Sequence, residues 1–260
     1  MRQTSQPVNL PSVHAVERLS IIDQAEIQLR GAIYDGALRP GDQVPEIQVA
    51  KQMGISRSSL REACQRLVRD GLLRQQPGRG VSVTRLGRDT VGDFIQYRTA
   101  VETQAIRILT GRIRSLTADG CADAVAELLA PLEQKADELR TALDAGDLRT
   151  AADADLELHQ GLVEQTGNRF LTTSMYTIAI MSRIAAFSDP LGFALRTEVE
   201  DQARELLLAL RNGDETAAGK SLEQALATYI HRLDADVQQD GFTRGMDAES
   251  TGGEPFQPLA

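Results

Sequence analysis

The sequence predicts a mainly α chain: two short helices closed across a glycine turn and backed by a small β-hairpin, then an all-helical bundle. Three observations predict it. From Glu46 on, the apolar residues Val49, Met53, Ile55, Leu60 and Ala63 fit two short helices that turn their apolar faces on each other. Behind them, Gly71–Arg74 and Val81–Thr84 read as strands around the glycine-rich stretch Gln75–Gly80. From Asp89 to about Gln239, apolar residues recur at helical spacing, and no segment alternates with the period of a strand.

In chain order, residues 1–14 are polar and proline-broken and are expected to be disordered. Val16–Tyr34 carries Leu19, Ile22, Ala25, Ile27, Leu29 and Ile33, an amphipathic helix that Gly36, Pro40 and Gly41 terminate. In the helix pair, Ala50 is small enough for a close crossing, and Gly54 suits a turn needing positive φ. Ser56 stands where an N-cap belongs, ahead of a second helix over Arg57–Arg69. Together with the hairpin this is a winged helix-turn-helix. Arg57, Ser58, Ser59 and, one turn on, Arg61 project from the N-terminal end of the second helix, the end that enters a DNA major groove in such units. Arginine bonds guanine O6 and N7 bidentately, and serine bonds a base edge or a phosphate. The hairpin tip, with Gly78, Arg79 and Gly80, forms a wing for a phosphate backbone or a minor groove. An ordinary helical hairpin with strands behind it would share part of this pattern. The small residue, turn glycine, basic first turn and wing together favour DNA.

These motifs resemble a known family. Pro40-Gly41-Asp42, Val44-Pro45-Glu46, Met53-Gly54-Ile55-Ser56-Arg57, Leu60-Arg61-Glu62-Ala63 and Arg69-Asp70-Gly71-Leu72 are similar to the signature of GntR bacterial transcription regulators, over about residues 18–86. The resemblance implies that Ser56, Arg57, Ser58, Ser59 and Arg61 meet an operator, helped by the wing. Some relatives carry a further arginine early in the first helix of the motif; here Ile47 stands there, with Gln48 beside it as the remaining polar contact.

The body starts with a helix over Asp89–Ile113, followed by one that Thr117 or Asp119 caps and Pro131 kinks or splits. Further helices are expected at about 131–145, 148–166, 169–187, 191–212 and 215–238, with Gly146, Gly167, Pro190 and Gly213 at the joins. In both Ala142–Asp147 and Ala209–Asp214 a glycine ends one helix and an aspartate caps the next. The domains expected are 16–86 and 89–239, with 241–260 a second disordered tail.

The body resembles the all-helical FCD effector domain of FadR-type GntR regulators. Arg98-x-x-x-Glu102, Asp155-Leu156-Glu157-Leu158-His159 with Gly167-Asn168, and the Gly213-Asp214 corner carry the likeness. It implies dimerisation and a small-molecule site involving Arg98, Glu102 and Asn168. Arg98 would hold an organic-acid carboxylate, or else pair internally with Glu102 one turn away; Asn168 would touch the ligand or serve as a helix cap. Asp155 and His159 share one helix face and can take two positions of a divalent metal. In FCD domains two later histidines complete that site. Here the corresponding positions fall near Ala203 and Ala225, or with a small shift near Asp201 and Glu223, and the other histidines are His14 and His231, which lies farther along. A surface pair or a buried hydrogen bond is the alternative, and no cofactor is certain.

Composition bounds the partners. Net charge is −9, but residues 15–86 hold eleven Lys/Arg against eight Asp/Glu, and the rest 17 against 29. A mildly basic head on an acidic body suits double-stranded DNA at one end only. Two cysteines make no disulfide framework, and neither a signal peptide nor a membrane-spanning run is expected, so the cytoplasm is the expected compartment. The reading is a regulator and not an enzyme; the alternatives are a metal-dependent enzyme tethered to DNA and an architectural DNA-binding protein.

Overall fold

The computed structural model describes residues 19–86, 88–188 and 198–240. Both expected disordered tails lie outside these residues. The head comprises α1 (Ile21–Tyr34), α2 (Glu46–Met53), α3 (Arg57–Arg69) and the antiparallel hairpin β1 (Leu73–Gln76) and β2 (Gly80–Val83). The body comprises α4 (Arg88–Ala118), α5 (Ala122–Asp144), α6 (Leu148–Glu164), α7 (Arg169–Ser188), α8 (Glu198–Arg211) and α9 (Glu215–Asp240).

Local chemistry sets the ends of the head's elements. α1 begins at Ile21, five residues later than the apolar pattern suggests, because Ser20 and Asp23 close a capping box there. α2 stops at Gly54, whose φ of 66° places it in the left-handed region. Ser56 accepts the Ser59 N–H at 3.1 Å and starts α3. The strands sit about two residues from their expected positions on one side. Gly71, at φ 75°, and Leu72, whose N–H bonds back to Leu67, belong to the C-terminal turn of α3, so β1 starts at Leu73. Leu29, Ile33, Leu60, Leu67, Leu72, Leu73 and Val83 fill the core beneath, each at most 1% exposed. Burying one such side chain contributes about 1.5–3 kcal/mol.

The body core runs through Ala105, Ile106, Leu109, Leu129, Leu139, Ala151, Val163, Ile178, Leu210 and Leu222. Two expectations fail here. α5 runs through Pro131 without splitting: Pro131 and Glu127 lie on the solvent-exposed face, while buried Leu128, Leu129 and Leu132 hold the other side. Neither Thr117 nor Asp119 caps α5. α4 continues to Ala118, Gly120 turns the chain at φ 73°, and Cys121 occupies the cap position without a capping side-chain bond to α5. The two glycine–aspartate corners form as expected, with Asp147 accepting the Thr150 N–H and Asp214 that of Ala217.

Helix α7 is long and apolar enough to cross a membrane over Arg169–Phe187, contrary to expectation, with mean hydropathy 1.3. Its apolar residues serve two protein cores instead. Met175, Ile178 and Ala179 belong to the body core, whereas Ile180 and Ile184 belong to the core of the head.

Cys64 is 1% exposed inside the head, and burial, aided by the charge of Glu46, pushes its thiol up to about 11. Cys121 is exposed. A thiol reagent should therefore modify one cysteine per folded chain and two in denaturant, followed by absorbance of the released chromophore. Rapid modification of both in the native protein would contradict this packing.

Candidate functional site

The head presents one exposed polar face. Arg57, Ser58 and Arg61 are exposed at the N-terminal end of α3, with Ile47 and Gln48 exposed on the first turn of α2. Glu46 joins the two turns: its Oε2 accepts from Arg61 Nη2 at 3.0 Å and Nε at 3.3 Å. The guanidinium keeps its remaining N–H groups toward solvent, its side chain 58% exposed. Ser56 serves as the cap, and its Oγ lies 2.8 Å from both the Ser58 and Ser59 hydroxyls. Ser59 is thereby drawn back against the helix start, while Ser58 stays exposed. Behind this face, Arg66 reaches Asp23 at 2.7 Å and ties α3 to α1.

The wing is a tight turn. Pro77 and Gly78 occupy its centre, Gly78 at φ 73°, and the Arg79 N–H returns to the Gln76 carbonyl at 3.0 Å. Gln76 donates to Ser82 at 3.0 Å and accepts from Gln43 at 3.1 Å, which braces the base of the hairpin. Gly80, at φ 82°, leads back into β2, and exposed Arg79 crowns the tip.

In the body, Arg98 and Glu102 are buried together on α4, 4% and 0% exposed. Arg98 Nε donates to Glu102 Oε1 at 2.5 Å, and Arg98 Nη1 reaches the Ser182 hydroxyl of α7 at 3.4 Å. Glu102 Oε2 faces His159 Nδ1 at 2.5 Å. Burial alone would raise the Glu102 carboxyl, but the Arg98 charge and His159 overcome it and hold the group at about 2. Glu102 is therefore an ionised acceptor, and His159 donates from Nδ1.

The other face of His159 borders a cavity of about 10 Å³, room for one water-sized group, walled by Asp155, Gln202, Ala203, Ser221 and Ala225 among others. His159 Nε2 and Asp155 Oδ1 stand 3.9 Å apart across it. The expected pair is thus brought to one cavity, with the two alanines opposite. A resident metal does not fit this set: among the described residues no three His, Cys, Asp or Glu side chains converge. The side chain of His231 lies outside those described. Asn168 sits at the start of α7, where its Oδ1 accepts the N–H groups of Phe170 at 3.0 Å and Leu171 at 3.3 Å, the geometry of a helix cap.

Comparison with known proteins decides what carries these two sites. Residues 21–83 match the bacterial regulatory proteins of the gntR family, and residues 93–228 match the FCD domain. The chain belongs to the GntR family. Its head is a GntR DNA-binding domain, its body an FCD domain, and it is a transcription regulator, not an enzyme. An HTH-type transcriptional regulator from the TAR-I ttuE-ttuC' intergenic region of Agrobacterium vitis is 30% identical over 163 residues, 63% of this chain and 91% of that protein. The HTH-type regulator YdhC of Bacillus subtilis is 31% identical over 145 residues, 55% of this chain and 60% of its own. Among solved structures, McbR/YncC of E. coli superposes with a TM-score of 0.68 at 21% identity, covering 85% of this chain and all of that one, a likeness of fold. Some FCD domains bind metal ions; here, among the described residues, the donor set is the two-residue one described above.

In this GntR chain the head and body share α7. Arg183, 2% exposed, pairs with Asp153 of α6 and lies 4.7 Å over the Tyr34 ring of α1. Phe187 sits against Gly36, where a Cβ would strike its ring. Arg30 stands 5.6 Å over the Tyr176 ring. Sequence reasoning missed Glu46, Tyr34, Asp153, Ser182 and Arg183 as parts of the machinery. Each acts through a partner 15 to 149 positions away, a distance that helical periodicity does not report. An arginine inside the apolar run of α7 was the one available signal, since a buried charge requires a partner.

Proposed function

We propose that this regulator binds a palindromic operator as a homodimer in the cytoplasm and is modulated by a small carboxylate metabolite held in its FCD body. The head spans about residues 16–86 in this reading and the body 89–239. Arg57, Ser58, Arg61 and Gln48 face the operator, Ser56 and Ser59 shape the helix start, and Gly78, Arg79 and Gly80 form the contacting wing. One head offers a small readout surface, and two-fold symmetric half-sites enlarge it. In the body, Arg98 is the buried cation for an effector carboxylate, which would compete with Glu102 for the guanidinium. His159 and Asp155 line the adjoining cavity, and Asn168 holds the neighbouring start of α7.

The observation that carries the reading is the double membership of α7. Ser182 on α7 touches Arg98, while Ile180 and Ile184 on the same helix complete the head's core. A ligand that draws Arg98 away from Glu102 disturbs Ser182, and a shift of α7 moves two core residues of the DNA-binding unit. Both sites then bias one mechanical element, which is what coupling requires.

The test begins with a thermal-shift screen of the full chain against small organic acids. Hits are then added to mobility shifts on an operator enriched from random duplex DNA. A hit should change operator affinity by about fivefold or more. Arg98→Lys keeps a charge for Glu102 but loses the guanidinium fork; it should bind the operator as wild type does and lose the response. A full response in Arg98→Lys would remove Arg98 from the site. A hit that stabilises the chain without changing operator affinity would break the link through α7.

A further inference from the structure

The groove-facing surface holds one side chain that hydrogen bonding does not use. Ile47 is 63% exposed on the first turn of α2, among the most exposed large apolar residues of the described chain. Gln48 beside it is exposed too and polar, whereas Glu46 grips Arg61, and Val49 and Ala50 turn into the head's core. The Glu46–Arg61 bond sets the first turn of α2 beside the second turn of α3, so a side chain leaving α2 there reaches the DNA edge that Arg61 addresses. Leu19, Ile21 and Ile27 are also exposed, but they belong to α1 and its approach.

A β-branched aliphatic group gains nothing against phosphate, which wants a donor or a cation. The major-groove edge offers it one matching feature, the C5 methyl of thymine. We propose that Ile47 is a specificity-determining residue, which packs on a thymine methyl in each operator half-site next to the base pair read by Arg61. The proposal rests on the DNA-reading role of this face and adds the base that α2 selects. The two helices then divide the readout between them, α3 by hydrogen bonds and α2 by apolar contact.

Deoxyuridine tests it, since that base keeps every hydrogen-bonding group of thymine and lacks only the methyl. The full chain enriches its site from a random duplex library, and each thymine of the winning duplex is replaced in turn by deoxyuridine. At one thymine per half-site, loss of the methyl should weaken wild-type binding by about fourfold, the equivalent of one buried methylene-sized group. Ile47→Ala, which removes the contact from both half-sites of the dimer, should bind the all-thymine duplex about as weakly as wild type binds a duplex with deoxyuridine at that thymine in both half-sites, and should be indifferent to the replacement. The exposed position makes Ile47→Ala safe for folding, and circular dichroism confirms that directly. If no thymine methyl matters to the wild type, the proposal is overturned. Equal sensitivity of Ile47→Ala and wild type at that thymine also overturns it. Failure to enrich any sequence would strike earlier, at the DNA-reading face itself, and the proposal would fall with it.

Discussion

Glu102→Gln should destabilise the chain by about 3–5 kcal/mol at neutral pH, because it removes the buried carboxylate charge that both Arg98 Nε and His159 Nδ1 face and leaves one neutral amide oxygen in its place. The pH dependence identifies the cause. The folded-state carboxyl is held at about 2, below its ordinary value of 4.5. Its stabilisation is therefore complete above about pH 4.5 and is lost as pH falls through that window toward 2. The gap between wild type and Glu102→Gln should be widest at pH 7 and should close progressively below pH 4.5. Urea denaturation at pH 7 and at pH 3 measures it. Equal stability at pH 7, or a gap that does not change with acid, would mean that Glu102 is not the ionised centre of this network.

The second large effect concerns DNA. Arg57→Ala and Arg61→Ala should each cost about 1–3 kcal/mol on the specific operator, and the loss should concentrate on the base pairs those side chains address. Arg79→Ala should weaken binding more evenly across sequences and lower the salt dependence, as the loss of a phosphate contact does. Mobility shifts at two salt concentrations on specific and scrambled duplexes separate the two behaviours. Because Arg61 is held by Glu46, Glu46→Gln should reproduce part of the Arg61→Ala effect while leaving the side chain's charge in place.

Much of this was legible in the sequence, for stated physical reasons. Gly54 and Ser56 marked the turn and the cap because only particular residues satisfy left-handed backbone and orphan N–H groups at little cost, and α3 lies over the predicted Arg57–Arg69. The corners at Gly146-Asp147 and Gly213-Asp214 were readable for the same reason. Pro131 misled because proline disfavours a helix interior locally, while the buried leucines around it act through neighbouring helices. The strand register slipped because Gly71 and Leu72 read equally well as strand or as a helix terminus until the bond from Leu72 to Leu67 is known. In the body, Arg98 and Glu102 sit one turn apart and were visible as a pair, whereas the links to Ser182 and His159 join helices 84 and 57 positions away. The role of α7 was the least legible feature. Its apolar face looks the same whether it lies in one core or in two, and only the packing of Ile180 and Ile184 against α1 distinguishes them.

The central claim is that the exposed arginines of α3 read a symmetric DNA site. Selection from a random duplex library tests it most directly, with the full-length wild type and the Arg57→Ala, Arg61→Ala double variant run side by side. The account predicts that the wild type enriches an inverted repeat, with half-sites about one helical turn apart or closer, and that the double variant enriches none. Enrichment of the same repeat by both proteins, or of no sequence by the wild type, would contradict it.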